Sequence, residues 1–301
     1  MMEHKEQFET VGDGLLVRAP AKINLSLLVA GKRPDGFHEL ETIIAKVNWY
    51  DEVLIEPGQK AGIELICQGP HWAPAGEDNL VYRSVTILLE NQDVKADFKI
   101  TLTKNIPAGL GFGSASSDAA ATLMGLNKYL ALQLSSRRLT KLAPKLGSDV
   151  AFFLDGPLAF CTGKGEKIKK IKKIFKFLVI LILPDVSIST QKVYANYKHN
   201  QALYEKLSTQ INSHIQKNNI DLVVRMCANM LQTSSFGLVE GLAELKAAIE
   251  SLGVEPCCLS GSGTGVFCII ESGDEEVAMQ YKHKLEEKIG CKIIIASNNR
   301  W

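Results

Sequence analysis

The chain of 301 residues has no CxxC pair, and its seven cysteines (67, 161, 227, 257, 258, 268 and 291) are odd in number. A disulfide framework or a structural zinc site is therefore not expected, and the cysteines read as small buried hydrophobes. Long apolar runs are missing too. The longest, residues 177–183, falls far short of the roughly 20 residues that cross a bilayer. The polar first ten residues contain no apolar signal segment, so a cytoplasmic chain is expected. Neither charge sign dominates: 34 Lys and Arg face 33 Asp and Glu, for a net charge of +1. That balance excludes a globally basic nucleic-acid binder. Two nucleotide signatures are also absent. GxxxxGK[ST] occurs nowhere, and no GxGxxG is followed by a ribose-binding acid, which removes the P-loop and dehydrogenase readings.

What is present is an ordinary globular composition, 46% hydrophobic, patterned as strands and helices. Apolar or alternating runs at 14–20, 23–30, 43–47, 52–55, 63–67 and 98–103 predict strands. Helical spacing follows at 78–89, 116–130 and 135–146. Beyond residue 156 the pattern predicts strands at 158–161, 177–183, 266–270 and 292–296. It predicts helices at 193–215, 219–232, 238–252 and 274–289. The fold class expected is α/β (α+β), with domains at 1–165 and 166–301.

The richest stretch for chemistry is 104–121, where Lys104, Pro107, Gly109, Gly111, Gly113, Ser114, Ser116 and Ser117 follow a strand and open a helix. Glycines let backbone approach a ligand closely. The unpaired N–H groups and positive end of a helix favour an anion such as a polyphosphate. A second glycine cluster, Gly261, Ser262, Gly263 and Thr264, precedes a strand and offers further donors. Lys22 and Asn24 share one face of an apolar strand. A covered lysine needs an anionic partner, and Asp149, between a glycine turn and a dense apolar run, is the candidate.

Together, Pro20-Ala21-Lys22-Ile23-Asn24-Leu25, the 107–121 loop, Gly147-Ser148-Asp149-Val150 and residues 260–265 resemble the GHMP kinases. The resemblance covers the chain from Ala19 to about Val266. It implies an N-terminal domain of ribosomal-protein-like βα type and a ferredoxin-like C-terminal domain, with ATP and substrate in the cleft between them. It further implies an ATP- and Mg²⁺-dependent phosphoryl transfer to an alcohol, with the Mg²⁺ ligands left open. Asp149 would be the base or orienting group, and Lys22 would steady the developing charge. The element Asp35-Gly36-Phe37-His38 resembles the branch whose small-molecule acceptor carries a cytidine diphosphate. There His38 would bind the cytosine edge, Phe37 and Tyr194 would sandwich the ring, and Asn24 and Thr190 would contact substrate. Asn79 and Lys104 would lie on the adenine side. No nucleic acid or membrane partner is implied, and a monomer or a homodimer is equally compatible.

The chain departs from the family loop at Phe112, Ser114 and Ala115, where leucine and two glycines are usual; the two added Cβ atoms require φ < 0. Ala151 replaces a frequent proline, and Phe37 a tyrosine. Residues 164–176 hold seven lysines and one glutamate, with Ile168, Ile171 and Ile174 between them. A solvated face on a half-buried element explains this run better than a nucleic-acid patch. Two other functions remain open: a homoserine- or mevalonate-type kinase, and a catalytically silent nucleotide sensor.

Overall fold

The structure is a computed structural model and describes residues 5–172, 176–270 and 273–301. The larger sheet is built from β1 (Phe8–Val11), β2 (Gly14–Lys32), β3 (His38–Pro57), β4 (Ile63–Gln68), β5 (Phe98–Thr103), β6 (Leu158–Gly163) and β7 (Lys167–Lys170). Its main path runs β1-β2-β3-β5-β4, with β6 on β3 and β7 on β6. Among the described residues, only the β4–β5 pair of this sheet is parallel. Against this sheet pack α1 (Leu80–Gln92), α2 (Ser114–Tyr129), α3 (Ser136–Thr140) and α4 (Val150–Phe153).

Two pairs of expected strands are in fact single strands. β2 runs unbroken through Pro20 because register shifts at Pro20/Ala21, Asn24/Ser26 and Val29/Gly31 absorb the interruptions. A proline without an N–H is tolerated at such an irregularity. β3 likewise joins 43–47 to 52–55. The helix expected over 135–146 is shorter, because Pro144 lies in a separate 3₁₀ turn, Ala143–Lys145.

The smaller sheet orders its strands β11 (Lys292–Ser297), β8 (Leu178–Leu183), β10 (Val266–Ile270), β9 (Cys257–Leu259), all antiparallel. In chain order this is 4-1-3-2, the ferredoxin-like arrangement. Between β8 and β9 come α5 (Thr190–Ala195), α6 (Gln201–Gln216), α7 (Ile220–Arg225), α8 (Gln232–Leu238) and α9 (Leu242–Ser251); α10 (Glu275–Lys288) joins β10 to β11. The helix expected at 193–215 is split into α5 and α6, and the one expected at 219–232 is shortened to α7. Asn200 starts α6 afresh, its side chain accepting a hydrogen bond from the Leu203 N–H.

β7 pairs with β6 and carries the larger sheet to Lys170, beyond residue 165. Of the lysine run, Lys167, Lys169 and Lys170 are exposed while Ile168 packs on the core, as a solvated face requires. Lys173 and Ile174 lie outside the described residues. No helix among the described residues is long and apolar enough to cross a membrane. All seven cysteines are free, and four are buried.

Candidate active site

β2 carries Lys22 and Asn24 into the interior, where both are buried. The Lys22 ammonium donates to Asn24 Oδ1. Asn24 Nδ2 passes the chain on to Thr42 Oγ1 at 2.9 Å, and that hydroxyl donates to the Ser26 carbonyl at 2.6 Å. Lys22 Nζ lies 3.8 Å from Asp149 Oδ2. Burial draws the Lys22 ammonium below its ordinary pKa, and Asp149 opposes that fall. Asp149 occupies the N-cap position of α4, yet its side chain makes no capping bond. Its carboxylate is left to face Lys22 and, at 3.5 Å, Ser148 Oγ.

The glycine loop closes over this pair. The Lys22 N–H donates to the Phe112 carbonyl at 2.9 Å. Gly113 has φ +72°, and a Cβ there would stand 2.8 Å from Lys22 Cγ and 2.9 Å from the Phe153 ring, so the lysine stem fits only against glycine. Gly111, at φ +87°, leaves no room either, because a Cβ would fall 1.8 Å from the Ser260 carbonyl oxygen. At this crossing the two glycine clusters are stitched together. Ser260 Oγ donates to the Gly111 carbonyl at 2.8 Å, and the Gly265 N–H to the Leu110 carbonyl at 3.0 Å.

The loop's departures from the family pattern are accommodated. Ser114 and Ala115 form the first turn of α2, and neither has a positive φ. Phe112 is buried, edge-on to Trp49 at 5.8 Å. Ala151 is buried within α4.

A cavity of about 1000 Å³ joins these parts. Its wall includes Lys22, Asn24, Phe37, His38, Pro107, Gly109, Gly111, Gly113, Ser114, Ser116, Asp149, Thr190, Tyr194, Gly261, Ser262 and Gly263, so it draws on both sheets' halves of the molecule. Thr190 and Ser262 share a hydrogen bond of 2.8 Å between their hydroxyls. At the far end His38 stacks on Tyr194 with ring centres 5.0 Å apart, and Tyr197 meets it edge-on at 5.9 Å. Burial, then Lys32 and His199, hold the His38 imidazole below its ordinary pKa. At pH 7 it is neutral and offers one donor and one acceptor. Burial, reinforced by Asp149, raises the Tyr194 phenol, which keeps its proton.

The two rings expected to flank the base stand at this end of the cavity. The Tyr194 face is taken by His38, and Phe37 is 57% exposed with Lys164 Nζ 3.9 Å above its ring.

Four expected site residues lie away from the cavity wall. Asn79 caps α1, accepting from the Val81 N–H at 2.9 Å and donating to the Pro74 carbonyl at 2.8 Å. Lys104 is buried in a network with Asp51, Asp118 (2.6 Å) and the Ser114 hydroxyl. Burial works against its charge, but Asp118 and Asp51 outweigh it and raise its pKa. Burial and the neighbouring Asp51 push the Asp118 carboxyl well above the usual range. Asp51 also accepts the N–H groups of Asn105 and Ile106 at 2.6 and 2.8 Å, so the network ties the start of the loop to the start of α2. Ser117 points inward and its buried hydroxyl has no hydrogen-bond partner. Thr264 is buried and donates to the Val186 carbonyl. These residues were expected from motif position alone, and motif position does not say which way a side chain turns.

Sequence reading missed Lys32, Asp35, Thr42, Lys164 and Tyr197, all on the cavity wall. Thr42 is internal to β3, and the other four stand at a strand end or in the segments joining elements. Burial, then Asp149, lifts the Cys161 thiol to about 12, so it is inert at neutral pH. Among the described residues no group of three or more His, Cys, Asp or Glu is placed to hold a metal ion.

Residues 79–157 match the model for the GHMP kinases N-terminal domain, and residues 211–286 that for the GHMP kinases C-terminal domain. The chain belongs to the GHMP kinase family. It is 34% identical over 272 residues to a 4-diphosphocytidyl-2-C-methyl-D-erythritol kinase of Clostridium botulinum, covering 90% of this chain and 96% of that protein. It is 39% identical over 259 residues to a Bacillus cereus protein of the same name, covering 85% and 88%. A crystal structure of 4-(cytidine 5'-diphospho)-2C-methyl-D-erythritol kinase superposes with a TM-score of 0.75 at 27% identity, covering 95% of this chain and all of that one. Homoserine kinase from Cytophaga hutchinsonii superposes at 0.74 with 20% identity over 98% of each chain, a likeness of fold alone.

Proposed function

We propose that this protein transfers the γ-phosphoryl group of ATP to the 2-hydroxyl of 4-diphosphocytidyl-2-C-methyl-D-erythritol. The observation that carries the reading is the Lys22–Asp149 pair, 3.8 Å apart beneath the glycine loop. The same cavity holds His38 and Tyr194 at its other end. The loop and the first turn of α2 suit a polyphosphate, since the first N–H groups of a helix lack intrahelical acceptors. The substrate hydroxyl lies between Lys22 and Asp149. Its oxygen bonds to the γ-phosphorus as the bond to ADP breaks, and its proton passes to the Asp149 carboxylate. Lys22 stabilises the oxygen charge in a water-poor site, where such stabilisation is strongest. Asn24 holds Lys22 in place, and Thr190 with Ser262 borders the acceptor.

One half-buried carboxylate with a few hydroxyls fits a Mg²⁺ held chiefly by phosphate oxygens and water. Asp149 and Ser116 are the residues that would face it. The ion would neutralise charge on the transferring phosphates. At the far end the neutral His38 reads the cytosine edge, with Phe37 and Tyr194 giving it aromatic surface. The two units meet at this cavity, with the first ending near Lys170. A polar diphosphate ester as substrate suits a cytoplasmic enzyme.

The test is ADP release with the cytidine-diphosphate substrate, homoserine and mevalonate in parallel, for the wild type and Asp149→Asn. Turnover is expected with the first substrate alone. Asp149→Asn should lower kcat about 10²- to 10⁴-fold while ATP affinity stays within a few-fold. Equal turnover of homoserine or mevalonate overturns the acceptor assignment. An unimpaired Asp149→Asn enzyme removes Asp149 from the chemistry.

A further inference from the structure

Two cations on the cavity wall have no part in the chemistry above: Lys32 at the end of β2 and Lys164 in the turn between β6 and β7. Lys164 is held in a defined place. Its ammonium is 3.1 Å from Asp35 Oδ2 and 3.9 Å above the Phe37 ring centre. Asp35 is itself fixed by the Phe37 N–H at 3.2 Å and by Arg33. The Lys164 ammonium, then the Phe37 N–H, hold its carboxyl below the usual carboxylate range despite the opposing effect of desolvation. The same turn reaches the reacting end, since a Cβ on Gly165 would stand 3.9 Å from Asp149 Oδ1. A single turn therefore runs from the aromatic end of the cavity to the acid.

A substrate with its base among Phe37, His38 and Tyr194 and its hydroxyl at Asp149 must carry its connecting diphosphate past this turn. The diphosphate brings two negative charges into a cavity whose other cation, Lys22, already faces Asp149. An ammonium has three donors, and Asp35 occupies only one of those on Lys164. We propose that Lys164, seconded by Lys32, binds the diphosphate of the acceptor substrate. The pair thereby selects for a nucleoside diphosphate ester over an uncharged or short acceptor. This rests on the placement of the cytosine under Proposed function.

The experiment compares binding of cytidine 5'-diphosphate and cytidine, each as a competitor of the acceptor, to the full-length wild type, Lys164→Gln, Lys164→Arg and Lys32→Gln. In the wild type the diphosphate should bind well over tenfold tighter than cytidine. Lys164→Gln should weaken the diphosphate about tenfold, the scale of one lost charge-assisted contact, and leave cytidine unchanged. Lys164→Arg should keep most of the gap, and Lys32→Gln should narrow it less. The acceptor KM of Lys164→Gln should rise in parallel, with kcat at saturation and the KM for ATP within about twofold. An unchanged gap in Lys164→Gln overturns the proposal. Equal weakening of both competitors also overturns it, because Lys164 would then act only through Phe37. If neither compound competes in the wild type, the placement of the cytosine itself is wrong and the proposal falls with it.

Discussion

Lys22 and Lys46 face each other across β2 and β3, both buried, and their partners set them apart. Lys22 has a carboxylate. Lys46 has two carbonyls, donating to Phe153 at 3.0 Å and Asp155 at 2.7 Å, at and just past the end of α4. Burial, only partly opposed by Asp155, lowers its pKa from 10.5 to about 7. Between those values the unfolded chain binds a proton that the folded chain does not, so rising pH favours the fold. Lys46→Met removes that dependence and strands two carbonyls, at about 1–3 kcal/mol each. The melting temperature of the wild type should therefore gain on that of Lys46→Met as pH rises from 7 to 9.5. A constant difference between them would refute the assignment. At this scale Lys22, Asn24 and Asp149 were legible, because a charge among apolar neighbours announces a buried partner. Lys46 sits in an equally apolar stretch and passed unnoticed, since backbone carbonyls leave no mark in a sequence.

Helices and strands were legible where one face is apolar over many residues, as in α1, α2 and β5. The short α4 escaped, its four residues being apolar throughout and too few to show a period. The two glycine clusters were each visible, but not that they interlock. The Gly111–Ser260 crossing now makes that contact specific. In Gly111→Ala the new Cβ meets a backbone oxygen at 1.8 Å and the residue must hold φ +87°. Overpacking and left-handed strain together cost about 3 kcal/mol or more. The expected outcome is a melting temperature lower by several degrees with a raised KM for ATP, measured by thermal unfolding and steady-state kinetics. A variant that melts within a degree of the wild type would show that the loops are not packed this way.

At the scale of the molecule the two sheets are not independent. Ala21, Ile23, Leu25, Ile43 and Val47 of the larger sheet share one core with Val179, Leu181, Phe267 and Ala296 of the smaller. Asn299 adds a backbone bond to the Lys46 carbonyl at 2.9 Å. A fragment of residues 1–170 would expose this face to water, losing about 25 cal/mol per Å² of apolar burial. It should be aggregated or lack fixed packing, as judged by gel filtration and amide proton dispersion. A monomeric fragment with a well-dispersed spectrum would contradict the shared core.

Family membership, the order of most elements and the pairing of Lys22 with Asp149 could be read from the sequence alone. Short motifs record the backbone conformations and local charges that phosphate binding demands. The tertiary structure decided which motif residues face the cavity. It placed Asn79, Lys104, Ser117 and Thr264 behind the cavity wall and brought Lys164 over Phe37. The last of these joins turns more than 100 residues apart in the chain, and no local pattern encodes the direction in which a side chain then points.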